Sequence, residues 1–197
     1  MSERAIFFAL GKALVEGHPQ AGKNLRLTRP ALRAIPMLRD AGFDLVVVAH
    51  EPGIALGTVS EEDVDRERRR LEDALRQLEA TLAGFYYCPH DPSGKVPAYA
   101  VDCVCRRPQP GLITRAASDL GTDLATSWVI GEMLDDVEAG RRAGCRPVLV
   151  DTGSETEWRI TRYRVPHFLT GDLAKAARVI LAAERNPSHN LGAQQAS

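Results

Sequence analysis

Short apolar runs separated by amphipathic stretches set the pattern of this chain. Ala5–Leu10, Phe43–Ala49, Phe85–Cys88, Ser127–Gly131 and Pro147–Asp151 are compact runs rich in Ala, Val, Leu, Ile, Phe and Tyr. They run apolar almost continuously, as strands buried on both faces do, and do not alternate like half-exposed strands. Thr28 can cap a helix with Pro30 in its first turn, running to Asp40 and stopped by Gly42. Ser60, with Asp63 three residues on, opens a long helix to about Leu82, its apolar positions being Val64, Leu71, Leu75, Leu78 and Leu82. Further helices are predicted over Pro110–Leu120, Asp135–Ala143 and from an Asp172 cap to about Ala183, with a short strand near His167–Leu169. Lys12–Leu27, punctuated by Gly17, Pro19 and Gly22, and the stretch after His50 read as loops. Buried strands alternating with amphipathic helices mean an α/β fold, a parallel sheet with helices on both faces. Neither a repeat nor a linker divides the chain, so residues 1–185 form one domain, followed by a polar, patternless tail over 186–197 expected to be disordered.

Composition narrows the class. A chain of 197 residues can bury a substantial core without staples. Its net charge of −1 excludes a general attraction to nucleic acid or membrane surfaces. The basic run Arg66–Arg70 is interleaved with Asp65, Glu67, Glu72 and Asp73, which makes it a solvated helix face. No apolar run approaches membrane-spanning length, and Ala5–Leu10, preceded by Glu3 and Arg4, is too short for a secretory signal.

The chemistry concentrates in Phe85–Gly111, FYYCPHDPSGKVPAYAVDCVCRRPQPG. Cys88-Pro89-His90 and Cys103-Val104-Cys105 face each other across a loop of twelve residues. Three thiolates and an imidazole in two closely spaced pairs are the ligand set of a closed zinc site. Cysteines also bury well as small apolar groups, but chance would not gather three of the four cysteines around one of five histidines. Four protein ligands leave no open position, so the predicted zinc is structural and staples the loop. Thiols committed to a metal, with Cys145 left unpaired, fit a reducing cytoplasm.

In a parallel sheet, ligands bind beyond the carboxyl ends of the strands. Those ends are Ala9–Lys12, Ala49–Gly53, Arg106–Arg107 and Gly131–Asp136. The order of these segments, with FYYCPH, CVCRRPQPG and Gly131-Glu132-Met133-Leu134-Asp135-Asp136 between and after them, resembles the haloacid dehalogenase (HAD) superfamily. Within it the chain resembles the D-glycero-D-manno-heptose 1,7-bisphosphate phosphatases and their histidinol-phosphatase relatives. The resemblance spans about residues 4 to 152 and implies a Rossmann-like sheet, no large cap domain, and phosphatase chemistry.

That family ends its first strand in Asp-x-Asp-Gly-Thr, a nucleophile followed by a general acid and base. Here the places are Ala9 and Gly11, neither of which carries a side-chain oxygen. The second strand ends in Thr-Asn-Gln-Ser-Gly in the family but in Ala49-His50-Glu51-Pro52-Gly53 here. The phosphate-holding Lys matches Arg107, and the magnesium motif keeps Glu132 and Asp136 as a residual cation site. The resemblance therefore implies a pseudophosphatase, binding a sugar phosphate or a protein partner through Arg106, Arg107, His50 and Glu51. Two other readings stand beside it. One is an active phosphatase using a metal-bound water near Glu132, Asp136 and His50. The other is a structural partner of a phosphatase or nucleotidyltransferase. Gly11-Lys12 lacks the rest of a phosphate-binding P-loop and reads as an ordinary loop. Asp119 and Asp123 read as capping residues around Gly121. Asp151, Glu155 and Glu157 read as a solvated loop, with Trp158 beside them either an interface anchor or a core residue.

Overall fold

A computed structural model describes residues 3–16 and 25–186. The predicted loop glycines Gly17 and Gly22, Pro19, and the tail beyond Asn186 lie outside the described residues. In chain order the elements are β1 (Ala5–Ala9), α1 (Arg29–Asp40), β2 (Asp44–His50), α2 (Pro52–Leu56), α3 (Glu61–Arg76), β3 (Leu82–Cys88), α4 (Gly111–Leu120), β4 (Trp128–Gly131), α5 (Leu134–Ala143), β5 (Arg146–Val150), β6 (Phe168–Thr170) and α6 (Leu173–Arg185). The six strands form one sheet in the order β3-β2-β1-β4-β5-β6, and every pairing is parallel.

The continuous apolar runs are explained by helices on both faces. From β1, Ile6 and Phe8 point to a cluster that includes Ile35 and Leu38 of α1, Leu71 of α3 and Ile180 of α6. Ala5 and Phe7 point the other way, to Ile113 and Ala116 of α4 and Ala139 of α5. Phe7 and Trp128 are fully buried, each side chain contributing about 1.5–3 kcal/mol of transfer free energy. Because β2 lies on one side of β1 and β4 on the other, the chain reverses its direction of travel there. A crevice opens at such a switch point, between the segments that follow β1 and β4.

Three local expectations are corrected. The long helix stops at Arg76, and Leu82 is the first residue of β3, paired with Leu45. The chain turns at Gln77–Ala80, where Glu79 takes a positive φ of 55°. Pairing with β2 thus claims Leu82, although its spacing also suits the helix. The loop after His50 holds a helical turn, α2, with Pro52 at its start and Gly57 (φ 73°) closing it. Finally, the segment after β5 is solvated at Asp151 and Glu157, both exposed, but not at Glu155. Glu155 accepts from the Leu134 N–H at 2.8 Å, capping α5 from outside. Arg164 bridges Asp135 at 2.6 Å and Glu138 at 2.7 Å. Trp158 is 49% exposed, which removes the reading of it as a core residue. Asp123 does cap a turn, through the Ala125 N–H at 2.9 Å, whereas Asp119 reaches Arg115 at 3.8 Å.

Candidate metal centre and ligand cleft

The four predicted zinc ligands converge. β3 delivers Cys88, buried, at its last position, and Pro89 turns the chain so that His90 faces back toward the sulfur. Asp91 accepts from the N–H and hydroxyl of Ser93 at 2.9 and 2.7 Å, which reverses the loop. The loop is tied to α2 where Lys95 and Val96 donate to the Ala55 carbonyl. It returns through Cys103 and Cys105, closing on Gly111, whose N–H donates to the Val104 carbonyl at 3.0 Å. The sulfurs lie 3.5 Å (Cys88–Cys103), 3.2 Å (Cys88–Cys105) and 3.2 Å (Cys103–Cys105) apart. His90 Nδ1 stands 3.6 Å from the Cys88 sulfur and 3.3 Å from that of Cys105. A tetrahedron with metal–sulfur bonds of ~2.3 Å has sulfur–sulfur edges of ~3.8 Å, so the cluster is close to a metal-binding tetrahedron and slightly contracted. The residues fit a metal.

The cleft beside it departs from the expected ligand site. Ala9 ends β1, is 7% exposed and forms part of the wall of a cavity of about 40 Å³. Val48, Ala49, His50, Arg107 and Leu112 complete much of that wall. A side chain at position 11 would collide with Glu132, whose Oε1 lies 2.6 Å from where its Cβ would be. Glu132 is held there by the Ala13 N–H at 2.9 Å and by the hydroxyls of Thr152 and Ser154, each at 3.2 Å. A carboxylate from the β4 end thus fills the room of the missing acid/base side chain.

Arg107 donates to Asp136 Oδ1 at 2.6 Å, and the Asp136 charge beside it pushes the guanidinium above its ordinary range. The other oxygen, Oδ2, accepts from the backbone N–H groups of Glu132 and Met133, both at 3.1 Å, at the N-terminus of α5. Asp136 is buried and both of its oxygens are engaged. The cation of Arg107 is therefore already paired, with Asp136. Glu51 is 7% exposed and close enough to Glu67 of α3 to feel its charge. Burial first, and Glu67 second, push its carboxyl up to about 7. Arg106 sits outside the cavity wall, 3.9 Å from Asp91 on the metal loop. His50 lines the cavity, and its Nε2–H donates to the His90 carbonyl at 3.2 Å. Burial holds its pKa below the ordinary value, so it is uncharged at neutral pH and offers no cation to a phosphate. Of the four residues assigned to ligand binding, His50 and Arg107 line the cavity, while Arg106 and Glu51 do not.

Magnesium takes six oxygens at close, regular distances. The oxygens of Asp136 and Glu132 are already bound within the protein. Among the described residues, the Cys88/His90/Cys103/Cys105 set is the only gathered group of three or more metal-ligating side chains. Sequence reading missed Thr152 and Ser154, whose hydroxyls hold Glu132. Their position directly after β5, at the ligand end of the sheet, was the signal that could have found them.

Comparison with known proteins agrees with this fold. A family model described as HAD-hydrolase-like matches residues 104–176. The D,D-heptose 1,7-bisphosphate phosphatase of B. bronchiseptica, solved with magnesium and phosphate, is similar with a TM-score of 0.74 at 25% identity, over 91% of this chain and 98% of that one. The chain belongs to the HAD superfamily. Within it, a D-glycero-alpha-D-manno-heptose-1,7-bisphosphate 7-phosphatase of Photorhabdus laumondii is 31% identical over 135 residues, 68% of this chain and 74% of that protein. The D-glycero-beta-D-manno-heptose-1,7-bisphosphate 7-phosphatase of Escherichia coli K12 is 35% identical over 131 residues, covering 66% and 69%.

Proposed function

We propose that this chain is a pseudophosphatase, a HAD-fold relative of the heptose bisphosphate phosphatases that has lost hydrolysis. One observation carries the reading. The nucleophile position is Ala9, an apolar wall of a small cavity, and the adjoining acid/base position is Gly11, its room filled by Glu132. Neither residue can attack phosphorus or move a proton. The Cys88/His90/Cys103/Cys105 set holds zinc in this proposal, and its three thiols, with Cys145 also unpaired, fit a reducing compartment such as the cytoplasm. The zinc polarises nothing in the cleft; it fixes the path of the loop, and with it Arg107.

In this reading the cleft serves binding, to a sugar phosphate or a protein partner. An anionic ligand gains the guanidinium of Arg107 only by competing with Asp136, so sugar-phosphate binding is weak and independent of magnesium. Calorimetry with a panel of phosphorylated sugars is expected to give millimolar affinity that Arg107→Ala removes. The same panel, with histidinol phosphate and aryl phosphates added, is expected to give no phosphate release above background. The activity of the relatives supports the alternative of a working phosphatase. Release that is lost on Glu132→Gln or Asp136→Asn would establish it in place of this proposal.

A further inference from the structure

We propose that Cys103 and Cys105 are a site of reversible oxidation: a peroxide joins their sulfurs in a disulfide, which releases the metal and frees the segment carrying Arg107. The inference rests on the zinc site proposed above and adds a modification to it. The three sulfurs of that site are placed differently. Cys88 ends β3 and is 0% exposed, whereas Cys103 and Cys105 are partly exposed. Between them stands Val104, 77% exposed, so this short turn lies at the surface, where a small neutral oxidant reaches it. Their sulfurs are 3.2 Å apart, and closing to a disulfide bond of ~2.05 Å moves each by about 0.6 Å. Cys145 is 3% exposed and packs in the cluster with Ala5, Phe7 and Val129. Burial pushes its thiol up to about 12, so it supplies no thiolate to compete.

A metal ligand is a thiolate, and the thiolate is the form that peroxides oxidise. One of the two sulfurs attacks an oxygen of hydrogen peroxide. The O–O bond breaks, the sulfur becomes a sulfenic acid and hydroxide leaves. The second thiolate then attacks that sulfur, and the S–O bond breaks as the S–S bond forms, releasing a second hydroxide. Two electrons pass in all from the two sulfurs to the peroxide. Cys88 and His90 remain, half of a ligand set that a structural zinc needs whole. A disulfide closed around one intervening residue is strained, and strained disulfides are readily reduced, so a thiol reverses the step. The chain ties this chemistry to the cleft. Arg106 and Arg107 follow Cys105 directly, and the metal joins that returning segment to Cys88 and His90 at the end of β3. Without it, the nearby holds are the Gly111 N–H on the Val104 carbonyl at 3.0 Å and Arg106 beside Asp91 at 3.9 Å.

The test treats the full chain, reduced and loaded with zinc, with hydrogen peroxide beside a colorimetric zinc indicator. Stoichiometric loss of zinc is expected, and dithiothreitol with added zinc is expected to restore binding. Trypsin then separates the sulfurs: cleavage after Lys95 and Arg106 leaves Cys103 and Cys105, and no other cysteine, in the peptide 96–106. That peptide is expected to be lighter by two hydrogens after oxidation. Amide exchange over residues 103–107 is expected to speed up while β1 keeps its protection. Cys145→Ser is expected to change none of these readouts. A reduced chain that binds no zinc overturns the zinc site and this inference together. Zinc that is bound but survives the peroxide, a disulfide that includes Cys88 or Cys145, or exchange unchanged by oxidation overturns this inference alone.

Discussion

Glu132 governs what placing aspartates at positions 9 and 11 would do. Its carboxylate lies 2.6 Å from the place of a Cβ on residue 11 and is held by one backbone and two hydroxyl donors. Ala9→Asp with Gly11→Asp therefore crowds and charges a filled space. The pair is expected to lower stability by about 1–3 kcal/mol, as overpacking does, and adding Glu132→Ala is expected to return part of the loss. Urea denaturation of the three proteins checks this; equal midpoints for parent and double variant would show that Glu132 moves aside freely. Glu51 supplies a second expectation at this scale. Its carboxyl is raised from 4.5 to about 7, first by burial, so the folded state holds a proton that the unfolded chain releases. Its contribution is present below about pH 4.5 and is lost as the pH rises to about 7. The swing is on the order of 3 kcal/mol. Glu51→Gln is expected to flatten stability across that window and to be the more stable protein at pH 8. A parent whose stability does not fall between those limits would contradict the assignment.

Among the elements, the metal loop and the segment after β5 do the positioning. Cys88→Ser, or removal of metal by a chelator, is expected to speed amide exchange over residues 88–105 while the sheet keeps its protection, because the core clusters on both faces contain no loop ligand. Collapse of the sheet on chelation would contradict this. Glu155→Ala is expected to cost about 0.5–2 kcal/mol, the usual loss of a helix cap, since Glu155 serves the first N–H of α5. Much of this level was legible beforehand. Continuous apolar runs marked five strands, of which β3, at the sheet edge, is half-buried, and Ser60 with Asp63 marked a capping box that the structure contains. The metal ligands were legible because two short pairs of ligand-type residues are rare by chance. The end of α3 was not, because Leu78 and Leu82 suit helix and strand alike and only pairing with β2 decides between them. The roles of Thr152, Ser154 and Glu155 were hidden because their partners lie about twenty residues back in the chain and no period links them.

At the scale of the molecule, the chain keeps the features that make the fold, and the proposed function holds that it has lost those that make the reaction. The sheet order, the switch point between β1 and β4, and the loop that carries Arg107 are intact. The end of β1 carries Ala9 and is followed by Gly11, and the carboxylates of Glu132 and Asp136 accept hydrogen bonds within the protein. The most direct test is phosphate release from heptose 1,7-bisphosphate with magnesium, measured beside the E. coli enzyme under the same conditions. Loss of core members of a catalytic unit lowers the rate by about 10⁴–10⁶, and a difference at least that large is the expected result. Release within about a hundredfold of the E. coli enzyme, abolished by Asp136→Asn, would contradict the account and show that this chain hydrolyses phosphate by groups other than Ala9 and Gly11.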